Sequence, residues 1–127
     1  MEYLKLLLVE DSEGDILLIK DIVSKSEKVT LCVINDGQKA LDYIETTTEP
    51  PNLILLDINL PKVNGLKLLR NIRERKLFKN TKVVILTTSS NENEKSAAFE
   101  AKANDFITKS FDPFEFETSI NSLLFNY

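Results

Sequence analysis

The amino-acid sequence predicts an α/β fold, in which a parallel sheet of five strands lies between layers of helices. Five short apolar runs recur along the 127 residues. Most are continuous rather than alternating, as in strands that are covered on both faces. Between them, apolar residues recur at steps of three or four, the period of an amphipathic helix. This alternation of strand and helix favours a parallel sheet, because each crossover helix returns the chain to the same edge.

The first half of the chain predicts two strand–helix units, with strands over residues 6–9 and 29–34. Ser12 is a residue type that caps helices, and it precedes the first helical pattern. The segment Asn35-Asp36-Gly37 is typical of a turn before the second. The apolar stripes of these two helices are formed by Ile16, Ile19 and Val23 and by Ala40, Leu41 and Ile44.

The second half predicts three more units, with strands over residues 53–56, 83–86 and 106–107. Pro50-Pro51 closes the connection that leads into the third strand. Asn64 can cap the third helix, and Asp112 before Pro113 predicts the start of the fifth. The apolar stripe of the third helix is formed by Leu66, Leu69 and Ile72. The stripe of the fourth helix, Ala97, Ala98 and Ala101, is weaker. The stripe of the fifth helix is formed by Phe116, Ile120, Leu123 and Leu124.

Composition excludes several classes of function. The chain is 43% hydrophobic and 28% charged, with a net charge of −4, so it offers no basic field for nucleic acid or an anionic membrane. No apolar run is long enough to span a bilayer. Histidine is absent, which removes His-based triads and His-ligated zinc. Cys32 is the only cysteine. We interpret it as a small buried apolar residue, and the lack of an internal disulfide fits a reducing compartment.

Polar residues with related chemistry follow four of the predicted strands. Glu10-Asp11 follow the first strand, Asp57 the third, Thr87 the fourth and Lys109 the fifth. In a doubly wound sheet of order 2-1-3-4-5, the first and third strands are neighbours, and ligands bind at their carboxyl edge. The order would therefore bring Glu10, Asp11 and Asp57 together.

The residue types in this group indicate a magnesium site that handles phosphate. Three carboxylates in one crevice repel each other, and a hard divalent cation relieves the repulsion. Oxygen ligands without His or Cys suit Mg²⁺. Lys109 would add a fixed positive charge and Thr87 a hydroxyl donor. Together they fit phosphoryl transfer onto a carboxylate, which depends mainly on positioning and charge neutralisation.

Each of these residues also has a purely structural interpretation. Glu10-Asp11 resemble a turn with a helix cap, Asp57 a loop acid and Lys109 a surface lysine. Thr87 begins a polar segment that could lead to a cap at Ser90 or Asn91. The prediction of a site depends on all of them following the correct strands in the correct order.

At this point the sequence resembles the receiver domain of bacterial two-component response regulators, over essentially its whole length. The resemblance is carried by four segments: Leu8-Val9-Glu10-Asp11; Leu56-Asp57-Ile58-Asn59-Leu60-Pro61 with Asn64-Gly65; Leu86-Thr87-Thr88; and Ala103-Asn104-Asp105-Phe106-Ile107-Thr108-Lys109. It implies a flavodoxin-like, doubly wound (βα)5 sandwich of three layers. Within the family, the run Asn59-Leu60-Pro61-Lys62, with Thr87-Thr88-Ser89 and Thr108-Lys109-Ser110, looks most similar to stand-alone regulators that pair with phytochrome-type kinases.

The resemblance implies a role for each site residue. Asp57 would accept a phosphoryl group from a phosphohistidine of a partner kinase. Glu10, Asp11 and the backbone carbonyl of Asn59 would hold Mg²⁺ together with Asp57. Lys109 would pair with a phosphoryl oxygen, and the Thr87 hydroxyl would move to donate to the phosphate.

Phe106 matches the switch aromatic of the family, although it can also be interpreted as a core residue of an edge strand. The resemblance implies that it rotates inward when Thr87 moves, which reshapes the surface of the fourth helix, fifth strand and fifth helix. Because it is Phe and not Tyr, no phenolic hydroxyl is available there to a partner.

Three positions depart from the family pattern. Ser110 follows Lys109 where proline, often cis, is common. A cis bond to serine costs about 2.5–4 kcal/mol, so we expect either a trans peptide or a strained cis one. Thr88 replaces a small residue, which would narrow access to Asp57, and Lys102 replaces a glycine. The family tunes dephosphorylation at the positions of Asn59 and Ser89.

Three other functions share features with a phosphoacceptor site of this kind. A haloacid dehalogenase-type phosphatase needs a second Asp two residues after the nucleophile, where this chain has Asn59. A flavin carrier needs a phosphate loop after the first strand, where Glu10-Asp11 would repel phosphate. The third alternative is a receiver-like interaction module that is not phosphorylated, and the intact acid pair, Asp57, Thr87 and Lys109 argue against it.

We therefore expect residues 1–127 to form one receiver domain without an effector domain, acting in the cytoplasm in a two-component phosphorelay. It would be a phosphoacceptor rather than an enzyme, with any autophosphatase activity intrinsic to it. The expected partners are a sensor histidine kinase and a downstream protein, with no nucleic acid and no membrane. Homodimerisation through the fifth strand and flanking helices is compatible with the resemblance.

Overall fold

A computed structural model describes residues 3–88, 91–109 and 112–125 of the chain. The strands are β1 (Leu4–Val9), β2 (Val29–Ile34), β3 (Leu53–Asp57), β4 (Lys82–Thr87) and β5 (Asp105–Thr108). The α-helices are α1 (Glu13–Ser24), α2 (Gly37–Thr46), α3 (Gly65–Glu74), α4 (Glu92–Glu100) and α5 (Pro113–Phe125). A short 3-10 helix, Lys76–Phe78, follows α3.

The five strands form one parallel sheet in the order β2-β1-β3-β4-β5, as the sequence predicts. Val9 pairs with Leu56 across β1 and β3, and Leu56 pairs with Ile85 across β3 and β4. The register continues from Ile85 to Phe106 of β5. Because β1 and β3 are adjacent, the loops after them share one edge of the sheet.

The core has two parts, one on each face of the sheet. Leu7, Leu56 and Ile85 face one part, which α2, α3 and α4 cover, whereas Leu8 and Leu55 face the other, under α1 and α5. Successive strand residues point to opposite faces, so a continuous apolar run supplies both parts. The predicted three-layer α/β sandwich is confirmed.

Local sequence signals define where the helices begin. The Ser12 side chain accepts a hydrogen bond from the Asp15 amide at the start of α1, and Asn64 accepts from Leu66 at the start of α3. Asn91 caps α4, one of the two positions that the sequence offered. Asp112 accepts from the Phe114 amide at the start of α5.

The structure corrects the prediction for Cys32, which is exposed and not buried. It lies on β2, which pairs only with β1 and is therefore an edge of the sheet. On β2 alternate residues are half-buried and exposed over most of its length. An edge strand lacks a neighbouring strand on one side, so continuous apolar sequence does not guarantee burial there.

No helix within residues 3–88, 91–109 and 112–125 is long and apolar enough to cross a membrane.

Candidate functional site

The sheet order brings the predicted site residues to one edge. Asp57 is the last residue of β3 and pairs with Leu86, the residue before Thr87 on β4. Glu10 follows β1, and its amide donates to the carbonyl of Ile34, 3.1 Å away. The Lys109 amide donates to the carbonyl of Thr87 at 2.6 Å, which fixes the end of β5 beside β4. Four strand ends thus position the site.

The three predicted acids form one cluster. Glu10, Asp11 and Asp57 each offer a carboxylate oxygen, and these oxygens lie within 4.8 Å of one another. Glu10 and Asp57 are buried, and Asp11 is exposed to solvent. Such a group of hard oxygen donors, open to water on one side, suits a hydrated cation such as Mg²⁺.

Glu10 is the most buried of the three acids, with none of its surface exposed. Its Oε2 accepts hydrogen bonds from the amides of Asp11 at 3.1 Å and Ser12 at 3.2 Å. Burial, followed by a hydrogen bond to Asp57, raises the pKa of Glu10 to about 7. The site therefore holds a carboxyl group that is only partly ionised at neutral pH.

Lys109 is the cation that balances these acids. Its ammonium group contacts Oε1 of Glu10 directly, lies 3.0 Å from Oδ2 of Asp15 and 3.7 Å from Oδ2 of Asp57. Its side chain is 9% exposed. Burial lowers the pKa of Lys109, but hydrogen bonds to Glu10 and Asp15 and nearby negative charges outweigh burial and raise the pKa overall. Lys109 therefore supplies a fixed positive charge beside Asp57.

Asp57 is held by the backbone that follows it. Its Oδ1 accepts a hydrogen bond from the amide of Asn59 at 2.9 Å. The first residue of α3, Gly65, packs so closely that a Cβ there would lie 2.6 Å from the carbonyl oxygen of Asp57 and 2.5 Å from Cα of Ile58. The start of α3 can approach the Asp57 loop only because residue 65 lacks a side chain.

The hydroxyl of Thr87 is fully buried and lies between two acceptors. It is 2.9 Å from Oδ1 of Asn59 and 2.8 Å from Oε1 of Glu94, in the first turn of α4. A hydroxyl has one hydrogen to donate, so the two acceptors compete for it. Thr87 thereby connects the Asp57 loop with α4.

Phe106 is half-buried on β5 and packs against the core under α2, α3 and α4. The Lys95 ammonium lies 6.0 Å from the centre of its ring. Phe106 is thus partly in the core and partly at the surface that faces α4. Partial burial fits a core residue of an edge strand, and the switch role of Phe106 stays a prediction.

Two site residues were missed by the sequence interpretation: Asp15, which pairs with Lys109, and Glu94, which accepts from Thr87. Both are acids in the first turn of a helix. Such acids are common because they interact favourably with the helix dipole. Because α1 and α4 begin at the site edge, the first-turn positions of Asp15 and Glu94 were the sequence signal that could have indicated a role in the site.

The three departures from the family pattern have different outcomes. Lys102 adopts a left-handed backbone conformation, with φ of 71°, which explains why glycine is suited to the position. Thr88 is exposed. Ser110 and Ser89 lie outside the described residues, so the geometry of the Lys109–Ser110 peptide stays a prediction.

Comparison with known proteins identifies the family. The family model of the response regulator receiver domain matches residues 6–121. The response regulator Rcp1 of Synechocystis is 39% identical over 83% of this chain and 76% of its own length. PhoP of Bacillus subtilis, the alkaline phosphatase synthesis transcriptional regulatory protein, is 32% identical over 94% of this chain. The chain spans only 48% of the PhoP length.

Solved structures agree in fold. The phosphorylated cyanobacterial phytochrome response regulator RcpA superposes with a TM-score of 0.89 and 31% identity, covering 95% of this chain and 91% of that one. The Mn²⁺-bound form of Rcp1 gives a TM-score of 0.85 and 36% identity, covering 94% and 92%. The carboxylate cluster at the sheet edge, the fold and these relationships lead to one conclusion: the chain belongs to the receiver domains of two-component response regulators.

Proposed function

We propose that Asp57 accepts a phosphoryl group from a phosphohistidine of a sensor histidine kinase, in a reaction that requires Mg²⁺. The observation that carries the proposal is the meeting of Glu10, Asp11 and Asp57 within 4.8 Å, with Lys109 Nζ 3.7 Å from Asp57. Residues 1–127 contain no histidine, so the donor phosphohistidine lies outside them.

In this reaction a carboxylate oxygen of Asp57 attacks phosphorus and forms a P–O bond. The P–N bond to the imidazole of the donor breaks, and the electron pair stays on the imidazole nitrogen. Glu10, Asp11, Asp57 and the backbone carbonyl of Asn59 would hold Mg²⁺, which supplies neutralisation of the phosphoryl charge. The Mn²⁺-bound form of the similar regulator Rcp1 supports this assignment.

Lys109 has two tasks in the proposed reaction. Before transfer it neutralises Glu10 and Asp57, which lets both remain in a buried site. After transfer it would donate to a phosphoryl oxygen as the phosphoryl group adds about −1.5 to −2 charge at Asp57. Asp15 orients the lysine through its contact at 3.0 Å.

Thr87 and Phe106 would pass the change to the surface formed by α4, β5 and α5. The new phosphoryl oxygens attract the Thr87 hydroxyl away from Glu94 and Asn59, which now hold it. Phe106 would then rotate toward the space that Thr87 leaves. A coupling of about 1–3 kcal/mol between site and surface suffices to shift the population between two states.

We propose that residues 1–127 act as a stand-alone receiver in the cytoplasm, signalling through protein contacts. The similarity to RcpA, a cyanobacterial phytochrome response regulator, supports a phytochrome-type kinase as donor. The downstream target, dimerisation through β5 and its flanking helices, and intrinsic autophosphatase activity stay predictions.

Incubation with acetyl phosphate tests the phosphoacceptor role without the kinase. With Mg²⁺ present, intact mass should increase by one phosphoryl group in the wild type and in Asp21→Asn, an exposed aspartate on α1 that serves as a matched control. The mass of Asp57→Asn should not increase, and chelation of Mg²⁺ should abolish the mass increase of the wild type.

A wild-type protein that binds Mg²⁺ but gains no mass would overturn the proposal in favour of an interaction module that is not phosphorylated. An equal gain in Asp57→Asn would place the phosphoryl group on another residue.

A further inference from the structure

A second charged feature lies at the opposite edge of the sheet from Asp57. A cavity of about 550 Å³ opens between the end of α3, the 3-10 helix, the start of β4 and the turn before β5. β4 begins at Lys82 in this cavity and ends at Thr87 in the site. At about 3.3 Å per strand residue, the two places are roughly 17 Å apart.

The cavity is strongly basic in a chain whose net charge is −4. Its cationic lining residues are Arg73, Arg75, Lys76, Lys79, Lys82 and Lys102. Among the described residues that line it, Glu74 is the one acid. A concave surface lined by one sign of charge concentrates the field and attracts ligands of opposite charge.

Backbone carbonyls hold both arginines in place. Arg73 donates through Nη1 to the carbonyls of Phe78 at 3.1 Å and Thr81 at 3.0 Å, and through Nε to the carbonyl of Lys102 at 3.0 Å. Its Nη2 donates to Oδ1 of Asn104 at 2.7 Å. The guanidinium group is therefore a fixed positive charge in the cavity wall.

Arg75 is fixed in a similar way, but some of its N–H groups have no hydrogen-bond acceptor among the described residues. Its Nη1 donates to the carbonyls of Ile44 and Thr47, both at 2.8 Å, and its guanidinium carbon lies 5.8 Å from the centre of the Phe78 ring. Within the described residues, Nε and Nη2 of Arg75 have no acceptor. A guanidinium held rigidly with N–H groups to spare loses little entropy when it binds an anion.

Three of the lysines add unbalanced charge. No carboxylate of the described residues lies within ion-pair distance of Lys76, Lys79 or Lys102.

We propose that this cavity binds a small ligand that carries two or more phosphate groups. Its volume lies in the range of about 300–1,000 Å³ that small-molecule sites occupy. Arginine and lysine are the usual partners of phosphate oxygens, the arginines by paired N–H groups and the lysines as point charges. The proposal does not depend on phosphorylation of Asp57.

The lining also indicates which part of such a ligand is recognised. Phe78 is the aromatic residue among the described lining residues, and its ring is fully buried. No exposed ring is therefore offered there for a nucleobase to stack on. The cavity should bind the phosphate groups and ignore an attached base, so tripolyphosphate and ATP should bind with similar affinity.

Calorimetric titration with tripolyphosphate and with ATP tests the proposal on the full chain. A chelator removes Mg²⁺, and Asp57→Asn is titrated in parallel to exclude binding at the carboxylate cluster. Lys79→Glu and Lys102→Glu should each weaken tripolyphosphate binding about tenfold, because each removes a hydrogen bond to a charged group. Lys20→Glu, an equal charge change at an exposed position on α1, is the matched control and should have little effect.

Saturable binding of both ligands that is weakened about tenfold in the cavity variants, and unchanged in Lys20→Glu and Asp57→Asn, supports the proposal. Absence of saturable binding overturns it, and so does an equal loss in Lys20→Glu, which would indicate general charge attraction. Tighter binding of a poly-glutamate peptide than of tripolyphosphate would also overturn it and indicate an acidic protein partner.

Discussion

Thr87 Oγ1 and Glu94 Oε1 lie 2.8 Å apart, which links the last residue of β4 to the first turn of α4. α4 has few other anchors, since Ala98 is its one buried residue. The Thr87–Glu94 hydrogen bond therefore helps to fix the position of α4 against the sheet. Any event that takes the Thr87 hydroxyl away from Glu94 also weakens the attachment of this helix.

Replacement of Glu94 should favour the phosphorylated state. In the proposed switch the phosphoryl group competes with Glu94 for the Thr87 hydroxyl and repels its charge. We expect Glu94→Gln to raise the ratio of phosphorylated to free protein about fivefold at limiting acetyl phosphate, equivalent to about 1 kcal/mol of coupling. Intact mass measures the ratio.

Glu92→Gln is the matched control for this measurement, because Glu92 is exposed in the same turn of α4. If both variants change the phosphorylated fraction equally, general charge and not the Thr87 contact is responsible.

The stability of the Mg²⁺-free protein should fall as pH rises through the window set by Glu10. The pKa of this carboxyl is raised from 4.5 to about 7 in the folded protein. The folded state then binds the proton more tightly, so the stabilisation is complete below about pH 4.5 and is lost by about pH 7. The loss is at most about 3 kcal/mol.

Urea denaturation across this window, with a chelator present, measures the effect. Glu10→Gln should show a flatter pH dependence, and Mg²⁺ should stabilise the wild type most at the upper end, where the carboxylates are ionised. A wild-type slope equal to that of Glu10→Gln would refute the assignment to Glu10.

Removal of the Lys109 charge should destabilise the protein at alkaline pH. Lys109→Met leaves Glu10 and Asp57 buried without their cation, and loss of one partner of a buried ion pair costs about 3–5 kcal/mol. The loss should be smaller below pH 7, because Glu10 can then take up a proton. Chemical denaturation above and below pH 7 measures this loss. Lys25→Met is the control, because the ion pairs of Lys25 with Asp21 and Glu117 are far more exposed than those of Lys109. Equal losses in the two variants would mean that burial of the Lys109 contacts is unimportant.

Gly65→Ala should damage both stability and the site. The new Cβ would lie 2.5 Å from Cα of Ile58 and 2.6 Å from the carbonyl oxygen of Asp57, so the backbone must move. We expect the free energy of unfolding to fall by about 1–3 kcal/mol, typical of overpacking, together with reduced phosphorylation.

Gly14→Ala in α1 is the control. Apart from its chain neighbours and the backbone of α1 itself, no atom lies within 4 Å of its added Cβ, so alanine there should not destabilise the protein. A neutral Gly65→Ala would show that α3 does not fix the Asp57 loop.

Much of the site could be predicted from sequence because its residues follow apolar runs directly. Glu10, Asp57, Thr87 and Lys109 each stand at or just after the end of a strand, and the sheet order then determines which of them meet. Position along a strand is a local property, and periodicity reports it well.

The contacts of Asp15 and Glu94 could not be predicted in the same way. Each contact depends on how the loop before the helix orients that helix at the site edge. In addition, the helix dipole already explains an acid in the first turn. The exposure of Cys32 was missed for a related reason. Burial on an edge strand depends on which helices cover it, which the run of residues 29–34 does not encode by itself.

The most direct test of the central claim is to locate the phosphoryl group. Borohydride reduces an acyl phosphate of aspartate to homoserine, so treatment of the Mg²⁺ and acetyl phosphate reaction followed by tandem mass spectrometry marks the modified residue. We predict homoserine at position 57 only, and only when Mg²⁺ was present. Homoserine at position 11 or elsewhere, or none in protein that binds Mg²⁺, would contradict it.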